Sequence, residues 1–293
     1  MTRIPLAVWN GRIVPRSDVH IAADDRGWLA GDGVFETVRI EAGTALFLDL
    51  HLQRLAASLD RLSMPAGMSP PDLHDAVQAL LASDPEAARL GRLRITVTRG
   101  AEGHGAKPPE VPTTVLTLDP WREPVDVSGG HGVAIEVSSQ VRVAHPLHSI
   151  KSTSYAWSAW QRREARRPET FEVVQFNDRG FLAEGSFTNL FLVDASGVLR
   201  TPAPGDGCLP GITRRVGLEL ARIAAVPYRE GEVERAALRT ASEAFLTSSL
   251  RGMVPVRSVD GRDFPAPCPG AVTALLRDAY AARVRQEIER PRS

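Results

Sequence analysis

One stretch of the chain interrupts the apolar pattern on either side of it. Residues 119–131 read DPWREPVDVSGGH and are rich in proline, glycine and charge. Such a stretch rarely continues a strand or a helix, because proline lacks a backbone N–H and glycine leaves the backbone unrestrained. With 293 residues, the chain is long enough to build two hydrophobic cores. We therefore predict a small α/β domain over 1–118, a linker over 119–131 and a larger domain over 132–293.

The first 118 residues predict hairpins and helices in alternation. Asn10-Gly11 lies between β-rich flanks in LAVWNGRIV, which is a strong signal for a two-residue hairpin turn. The segment VFETVRIEAGTALFL repeats this pattern around Gly43. Leucines at helical spacing over 52–62 then predict a helix, and 72–82 predicts a second one.

Strand and helix patterns also alternate after the linker. VAIEVSS predicts a strand, and KSTSYAWSAWQRREARR predicts a helix that begins at its lysine. PGITRRVGLELARIA predicts a helix that begins after Pro210-Gly211, and 270–290 predicts a terminal helix. The mixture of both element types predicts an α/β (α+β) fold.

Composition argues against several kinds of partner. Lysine and arginine together number 35, as do aspartate and glutamate, so no excess charge indicates a nucleic acid or an anionic membrane. The N-terminal apolar run IPLAVW is too short for a signal peptide or a membrane span. The two cysteines form no disulfide framework, and the seven histidines show no metal-ligand spacing. We expect a reduced, cytoplasmic protein.

Lysine is rare in this chain. Only Lys107 and Lys151 occur among the 35 basic residues, and all the others are arginine. A guanidinium keeps its proton at working pH, whereas an amine can lose its proton and attack a carbonyl carbon. Lys151 is therefore a candidate nucleophile. A surface lysine retained by chance would explain the same sequence pattern. If the segment is helical, Tyr155 shares its face, because residues four apart lie above one another on a helix.

Two further segments offer groups that bind charge. Glu184 stands between small residues on an otherwise apolar strand pair in AEGSFTNLF, where a carboxylate is costly to bury without a partner. A solvent-exposed glutamate at the edge of a turn would explain the same pattern. LPGITR places the backbone amides of Ile212 and Thr213 at a helix N-terminus, which favours an anion such as phosphate.

Other residues could complete an anion site. LTSSL places Ser248 and Ser249 just after a strand, where their hydroxyl and amide groups could bind the same anion. Arg54 lies outside the leucine stripe of HLQRLAASL and could also reach an anion. A nucleophilic lysine, a carboxylate for a ring nitrogen and a phosphate site together describe a site for pyridoxal 5′-phosphate (PLP).

The order of these motifs resembles that of the fold-type IV PLP enzymes, the class-IV aminotransferase family. The matching segments are DDRGWLAGDGVFETVRI, HLQRLAASL, SIKSTSYA, EGSFTNLFLV, LPGITR and FLTSSLRGMVPV, which run from about residue 20 to 257. The resemblance implies a two-domain fold with PLP at the domain interface. It also implies a homodimer that takes a small-molecule amino donor and a keto-acid acceptor.

The resemblance implies a role for each matching residue. Lys151 is the catalytic residue, which forms a Schiff base with PLP and moves the proton at the substrate α-carbon. Glu184 pairs with the pyridine nitrogen, and Tyr155 is an aromatic neighbour of the cofactor. The positions implied for the phosphate are Arg54, Ile212, Thr213, Ser248 and Ser249. Phe35 and Glu36, in GDGVFET, match positions that line the substrate pocket.

The residue that holds the substrate carboxylate is left open. In D-amino-acid aminotransferases a loop of the first domain supplies an arginine and a histidine for this purpose. Here that loop reads RGAEGHGAKPPE, with His104 near the arginine position and Lys107 one residue after the histidine position. Lys107 could hold the carboxylate, or it could be an ordinary solvated lysine; backbone amides near Leu250 are another candidate.

The resemblance favours a transaminase that takes its amino group from a D-amino acid, with (R)-primary amines as further donors. Two alternatives are 4-amino-4-deoxychorismate lyase, which eliminates pyruvate and leaves 4-aminobenzoate, and a branched-chain L-amino-acid aminotransferase. A protein that binds PLP without catalysis is a third possibility, and it would tolerate the loss of Lys151.

Overall fold

A computed structural model describes residues 4–101, 111–123, 131–143 and 145–290. The helices in these ranges are α1 (Arg26–Ala30), α2 (Leu48–Arg61), α3 (Pro70–Ser83), α4 (Pro85–Arg89), α5 (Ala156–Arg163), α6 (Ile212–Ile223), α7 (Arg235–Thr240) and α8 (Ala271–Glu289). The strands up to the predicted linker are β1 (Leu6–Trp9), β2 (Arg12–Pro15), β3 (Gly33–Glu41), β4 (Thr44–Ala45), β5 (Leu90–Thr98) and β6 (Thr113–Pro120). The later strands are β7 (Val133–Arg142), β8 (Thr170–Asn177), β9 (Leu182–Gly185), β10 (Asn189–Val193), β11 (Leu199–Thr201), β12 (Tyr228–Glu230), β13 (Glu243–Ser248), β14 (Gly252–Val259) and β15 (Arg262–Asp263). The predicted mixture of helices and strands is confirmed.

The described residues form two compact units. Unit 1 contains those within 1–122, 150–155 and 286–293, and unit 2 contains those within 123–149 and 156–285. The boundary at 122/123 falls inside the predicted linker, whose first two residues still belong to strand β6. Residues 150–155, which the sequence analysis assigned to the second domain, group with unit 1.

Unit 1 is an antiparallel sheet with helices packed on one face. Its six strands, as far as the chain is described, follow the order β2-β1-β6-β5-β3-β4. Side chains alternate between the two faces of a strand, so Val34, Val38 and Ile40 of β3 point into one core while Phe35 lies on the opposite face. Leu52, Leu55 and Leu59 of α2 join this core, as do Leu73, Val77 and Leu80 of α3.

The two predicted hairpin turns of unit 1 are confirmed. Trp9 pairs with Arg12, so Asn10 and Gly11 form a two-residue turn, with φ of 48° and 81°. Both residues therefore adopt the left-handed conformation that asparagine and glycine tolerate best. The second hairpin turns at Ala42 and Gly43, because Glu41 pairs with Thr44.

Unit 2 is built on a mixed sheet. Its path over the described strands is β12-β11-β10-β13-β14-β7-β8-β9, with β15 paired to β14. Strands β7, β8 and β14 run parallel to one another, whereas β13 pairs with β10 and β14 in antiparallel fashion. Strands β8, β9 and β10 are buried along their whole length, so their polar side chains, such as Glu172 and Glu184, need hydrogen-bond partners inside the protein.

A buried carboxylate fixes the turn between β9 and β10. Glu172 of β8 is fully buried and accepts hydrogen bonds from the Ser186 hydroxyl at 2.5 Å and the Thr188 hydroxyl at 2.8 Å. It also accepts the backbone N–H groups of Ser186 and Phe187. A side chain at Gly185 would collide with this carboxylate, because an added Cβ would lie 2.7 Å from it. Glu172 therefore holds the turn that separates Glu184 from β10.

No helix in the described part of the chain is both long and apolar enough to cross a membrane.

Candidate active site

In unit 1, Lys151 lies against two aromatic rings. Its Nζ is 4.6 Å from the centre of the Phe35 ring and 5.9 Å from that of Tyr155. The two rings meet edge to face, with their centres 5.6 Å apart. Phe35 is buried and lies on the face of β3 opposite the core that contains Val34 and Val38. Three of the predicted site residues therefore come together around one amine.

The predicted helix at Lys151 is wrong. Helix α5 begins only at Ala156. The preceding residues are extended and hydrogen-bonded to β3: Phe35 N donates to Lys151 O at 2.9 Å, and Thr153 N donates to Gly33 O at 2.8 Å. Lys151 and Tyr155 are neighbours because both contact Phe35, and not because they share a helical face.

An arginine that has no carboxylate partner among the described residues lies on the same face of the sheet. The guanidinium of Arg94, on β5, stacks 3.7 Å from the centre of the Phe35 ring, and its Nε donates to the Thr96 hydroxyl at 3.1 Å. Partial burial and then the like charge of Arg92 lower the pKa of Arg94. Arg92 itself is paired with Asp119 at 3.1 Å. Among the described residues Arg94 forms no ion pair, so it is suited to bind an anion from solution.

Glu36 and Arg54 contact each other on the opposite face of the sheet, between β3 and α2. Because side chains alternate along β3, Glu36 points away from Phe35 and towards α2. Arg54 donates to both of its carboxylate oxygens, from Nε at 2.8 Å and from Nη2 at 2.6 Å. This arrangement favours a role in holding Arg54 over direct contact with a substrate.

In unit 2, Glu184 is a nearly buried carboxylate in an ion pair. Only 9% of the residue is exposed, which excludes the solvated-turn interpretation. Its Oε1 is 2.8 Å from Nη2 of Arg142, and its Oε2 accepts the Leu209 N–H at 2.8 Å and the Asn189 amide at 3.4 Å. Strand β9 positions Glu184, and the partners come from β7, β10 and the segment before α6. The ion pair offsets the cost of burying the charge.

Asn189 joins Glu184 to the start of helix α6. Its side-chain amide also donates to Leu209 O at 2.9 Å. Its Oδ1 lies against Gly211, the residue that precedes α6, so closely that an added Cβ there would be only 2.1 Å away. A larger residue at this position would therefore force the Asn189 side chain to move. Within the described part of the chain no side chain caps α6 at Gly211, and Ile212 and Thr213 are buried in its first turn.

The end of β13 brings hydroxyl groups to the same region of unit 2. Thr247 pairs with Asn189 in the sheet, and α6 packs on β13. The Thr247 and Ser248 hydroxyl oxygens are buried and find no hydrogen-bond partner among the described residues. A buried hydroxyl without a partner costs free energy, so this place is suited to a polar ligand. Ser249 and Leu250 follow in the turn to β14 and are partly exposed.

These features of unit 2 fit a phosphate ester of a protonated heterocycle. The N-terminus of the 12-residue helix α6 and the unpartnered hydroxyls of Thr247 and Ser248 suit a phosphate. The carboxylate of Glu184 suits a ring N–H. His104 and Lys107, the predicted carboxylate partners, lie outside the described residues.

Sequence reasoning missed three residues of these clusters: Arg94, Arg142 and Asn189. Alternation in RLRIT placed Arg92, Arg94 and Thr96 on one strand face, which is the signal that could have found Arg94. Arg142 and Asn189 carry no such local signal, because only the sheet topology brings them to Glu184.

Comparison with known proteins points to one family. The family described as amino-transferase class IV matches residues 33–259. A protein of Methanocaldococcus jannaschii named as a branched-chain-amino-acid aminotransferase is 30% identical over 92% of this chain and 93% of its own. The D-alanine aminotransferase of Bacillus licheniformis is 29% identical over 96% and 97%. The crystal structure of 4-amino-4-deoxychorismate lyase from Pseudomonas aeruginosa is 29% identical and matches 94% of this chain and 98% of its own, with a TM-score of 0.83.

The fold and these similarities define a PLP-dependent aminotransferase of fold type IV. The chain belongs to the class IV amino-transferase family, whose match spans well over half of its length. Its substrates are an amino donor and a keto acid. When bound, PLP supplies the electron sink that makes the substrate α-carbon acidic.

Proposed function

We propose that this enzyme transfers the amino group of a D-amino acid to an α-keto acid, with (R)-primary amines as slower donors. The observation that carries the proposal is Arg94, a cation without a carboxylate partner among the described residues. It shares the Phe35 ring with the Lys151 amine. A carboxylate-bearing donor would bind Arg94 by charge-assisted hydrogen bonds, and a simple amine could not. The D-configuration is the finer part of the proposal, because the chain is about as similar to a branched-chain-amino-acid aminotransferase (30% identical) as to a D-alanine aminotransferase (29%).

In this proposal Lys151 is the residue that bonds the cofactor and moves protons. Its amine would hold the cofactor covalently, through the aldehyde group of PLP. As a free amine, Lys151 would act as the general base and acid that moves the proton at the substrate α-carbon. Phe35 and Tyr155 place aromatic rings beside the amine.

The unit 2 residues hold the cofactor in this proposal. Glu184, balanced by Arg142, accepts the N–H of the protonated pyridine ring and so keeps that proton in place. The amides of Ile212 and Thr213, the Thr213 hydroxyl and the Ser248 and Ser249 region bind the phosphate. Arg54 contributes a positive charge to the same phosphate. We further propose that the enzyme is a cytoplasmic homodimer.

A second candidate is 4-amino-4-deoxychorismate lyase activity, which the similarity to the Pseudomonas aeruginosa enzyme supports. The substrate of that reaction also carries carboxylates, so Arg94 would serve it equally well. The lyase differs in that it releases pyruvate and 4-aminobenzoate and consumes no keto acid.

A single-turnover panel separates these possibilities. The PLP-loaded enzyme is mixed in turn with D-alanine, D-glutamate, L-leucine, (R)-1-phenylethylamine and aminodeoxychorismate, and the carbonyl products are quantified by mass spectrometry. We expect the D-amino acids to react fastest. Faster reaction of L-leucine would favour a branched-chain aminotransferase instead, and catalytic release of 4-aminobenzoate without a keto acid would favour the lyase.

A further inference from the structure

A pocket of about 450 Å³ lies in unit 1, between helix α3 and the hairpin of β1 and β2. Pockets of roughly 300–1,000 Å³ accept small organic ligands. This one is on the face of the sheet that α3 covers, because Val8 lines it and belongs to the same core as Val34. Phe35, the neighbour of Lys151, lies on the opposite face. The pocket is therefore a different place in the fold from the Lys151 cluster.

Small residues leave this space open. Ala76 and Ala79 lie three residues apart on the stripe of α3 that lines the pocket, and neither side chain extends beyond Cβ. Gly11, in the hairpin turn, and Gly67, in the segment before α3, add no side chain at all. Buried Met68 completes this part of the lining with apolar surface. The pocket can therefore hold the apolar body of a ligand.

Two exposed carboxylates stand on the same stripe of α3. Asp72 accepts the N–H and the hydroxyl of Ser69 through Oδ2, as part of a capping box. Asp75, one turn further on, forms no ion pair or hydrogen bond with any described residue. Carboxylates form strong, charge-assisted hydrogen bonds with cationic N–H donors. Negative charge beside apolar surface is thus complementary to an organic cation.

A buried hydroxyl beside the pocket points to a ligand independently of these charges. Thr114 is 1% exposed, and its Oγ1 finds no hydrogen-bond partner among the described residues. Its side chain lies on the α3 face of β6, as does that of Leu116 two residues later.

The neighbours of Thr114 are themselves pocket residues. Its Oγ1 lies so close to Gly67 that an added Cβ there would be only 2.7 Å away, and its backbone N–H donates to the Asn10 side chain at 2.7 Å. A buried hydroxyl without a partner costs free energy, and a polar group on a ligand would recover it.

We propose that this pocket binds a small organic cation. The apolar body of the ligand lies on Met68 and the alanines of α3, its cationic group pairs with Asp72 and Asp75, and a polar group reaches the Thr114 hydroxyl. Amidines, guanidines and amines with an aromatic body have this chemistry. The site goes beyond the proposed function and does not depend on it.

The experiment uses 4-hydroxybenzamidine as the probe. Transamination removes a hydrogen from the carbon that carries the amino group, and the amidine carbon has none, so the probe is no amino donor. Its binding to the PLP-loaded enzyme is measured by titration calorimetry. The matched ligand is 4-hydroxybenzamide, which has the same shape without the charge. We expect the cation to bind roughly tenfold or more tightly than the neutral amide.

Three variants locate the binding. Asp75→Asn removes the charge and keeps the shape, so the cation should bind roughly tenfold more weakly. Ala79→Leu, at a half-buried position, fills the pocket and should abolish binding. Thr114→Val removes the hydroxyl and should also weaken binding. Its melting temperature should not fall, because the hydroxyl makes no hydrogen bond with any described residue.

The control is Asp60→Asn, which removes an exposed carboxylate from α2 and should leave the affinity unchanged. Equal binding of the two ligands, or no binding of either, would overturn the proposal. So would an unchanged affinity in Asp75→Asn, a position exposed enough to tolerate the change if Ala79→Leu does not fold. A shift of the cofactor absorbance that follows saturation would place the probe at the PLP site instead. A lower melting temperature of Thr114→Val with unchanged affinity would exclude the hydroxyl from the site.

Discussion

Arg142 and Glu184 form a nearly buried ion pair, with Nη2 2.8 Å from Oε1 and only about a tenth of each side chain exposed. The pair joins the end of β7 to β9, two strands that are far apart in sequence and are not neighbours in the sheet. Because the partners come from different strands, the carboxylate has a fixed position before any ligand binds. This relationship makes Glu184 a rigid, charged acceptor.

Loss of Arg142 should destabilise the protein. Arg142→Met leaves the Glu184 carboxylate buried without a cation, which typically costs about 3–5 kcal/mol of unfolding free energy. Chemical denaturation of the two proteins measures this difference. As a control, Arg215→Met removes an exposed i,i+4 pair with Glu219 on α6 and should have a much smaller effect. Equal losses for both variants would contradict the importance of the buried pair.

Glu184→Gln should separate cofactor binding from catalysis. The phosphate contacts and the lysine bond remain, so PLP should still bind. A neutral amide cannot balance the positive charge of a ring N–H, and we expect turnover to fall by roughly two orders of magnitude or more. Steady-state kinetics and a cofactor count per chain test this expectation.

The control is Glu232→Gln, which removes an exposed carboxylate of unit 2. Wild-type rates in Glu184→Gln would assign Glu184 a structural role only.

Lys151→Ala should abolish turnover, and Lys151→Arg should not restore it. The reaction needs an amine that can lose its proton, whereas arginine supplies only a fixed charge. The measurement is the loss of the visible absorbance of the lysine-bound cofactor, together with the loss of product formation. The phosphate site should still retain PLP noncovalently. Retained turnover in either variant would rule out Lys151 as the catalytic residue.

Local sequence was a good guide to much of the fold. Asn10-Gly11 and the leucines of α2 predicted their elements because turn chemistry and helical spacing are properties of a few adjacent residues. The same reasoning failed at Lys151. There the helical pattern belongs to residues after Tyr155, and hydrogen bonds to a strand more than 100 residues earlier impose the extended conformation.

The candidate site was predicted in part for a similar reason. Lys151 and Glu184 were visible because each differs from its surroundings, one by residue type and the other by burial of charge. The sequence does not distinguish Arg94 and Arg142 from the many other arginines of the chain. Their roles depend on the residues beside them, and strand pairing over long sequence distances determines those neighbours.

Acid should destabilise the wild type partly through His148. Burial, together with the charges of Arg142 and His145, lowers the pKa of His148 from 6.5 to about 4. Between these values the unfolded chain binds a proton that the native ring does not, so stability falls as the pH falls through this window. Between pH 6.5 and about pH 4, the melting temperature of His148→Asn should therefore fall by less than that of the wild type. His131→Asn, at an exposed position, is the control; a parallel decline in all three proteins would exclude the contribution of His148.

The choice between Arg94 and Lys107 as the carboxylate partner can be made with one pair of substrates. Arg94→Met keeps apolar contact with Phe35 but removes the charge, so kcat/KM for D-alanine should fall by roughly ten- to a hundredfold, or about 1.5–3 kcal/mol. The value for (R)-1-phenylethylamine, which has no carboxylate, should change little. Arg92→Met is the matched control, because Arg92 occupies the same sheet face but is already paired with Asp119.

If Lys107→Met reproduces the selective loss and Arg94→Met does not, the carboxylate is held by Lys107 and Arg94 only packs on Phe35. Equal losses on both substrates in Arg94→Met would show instead that its contact with Phe35 supports the position of Lys151.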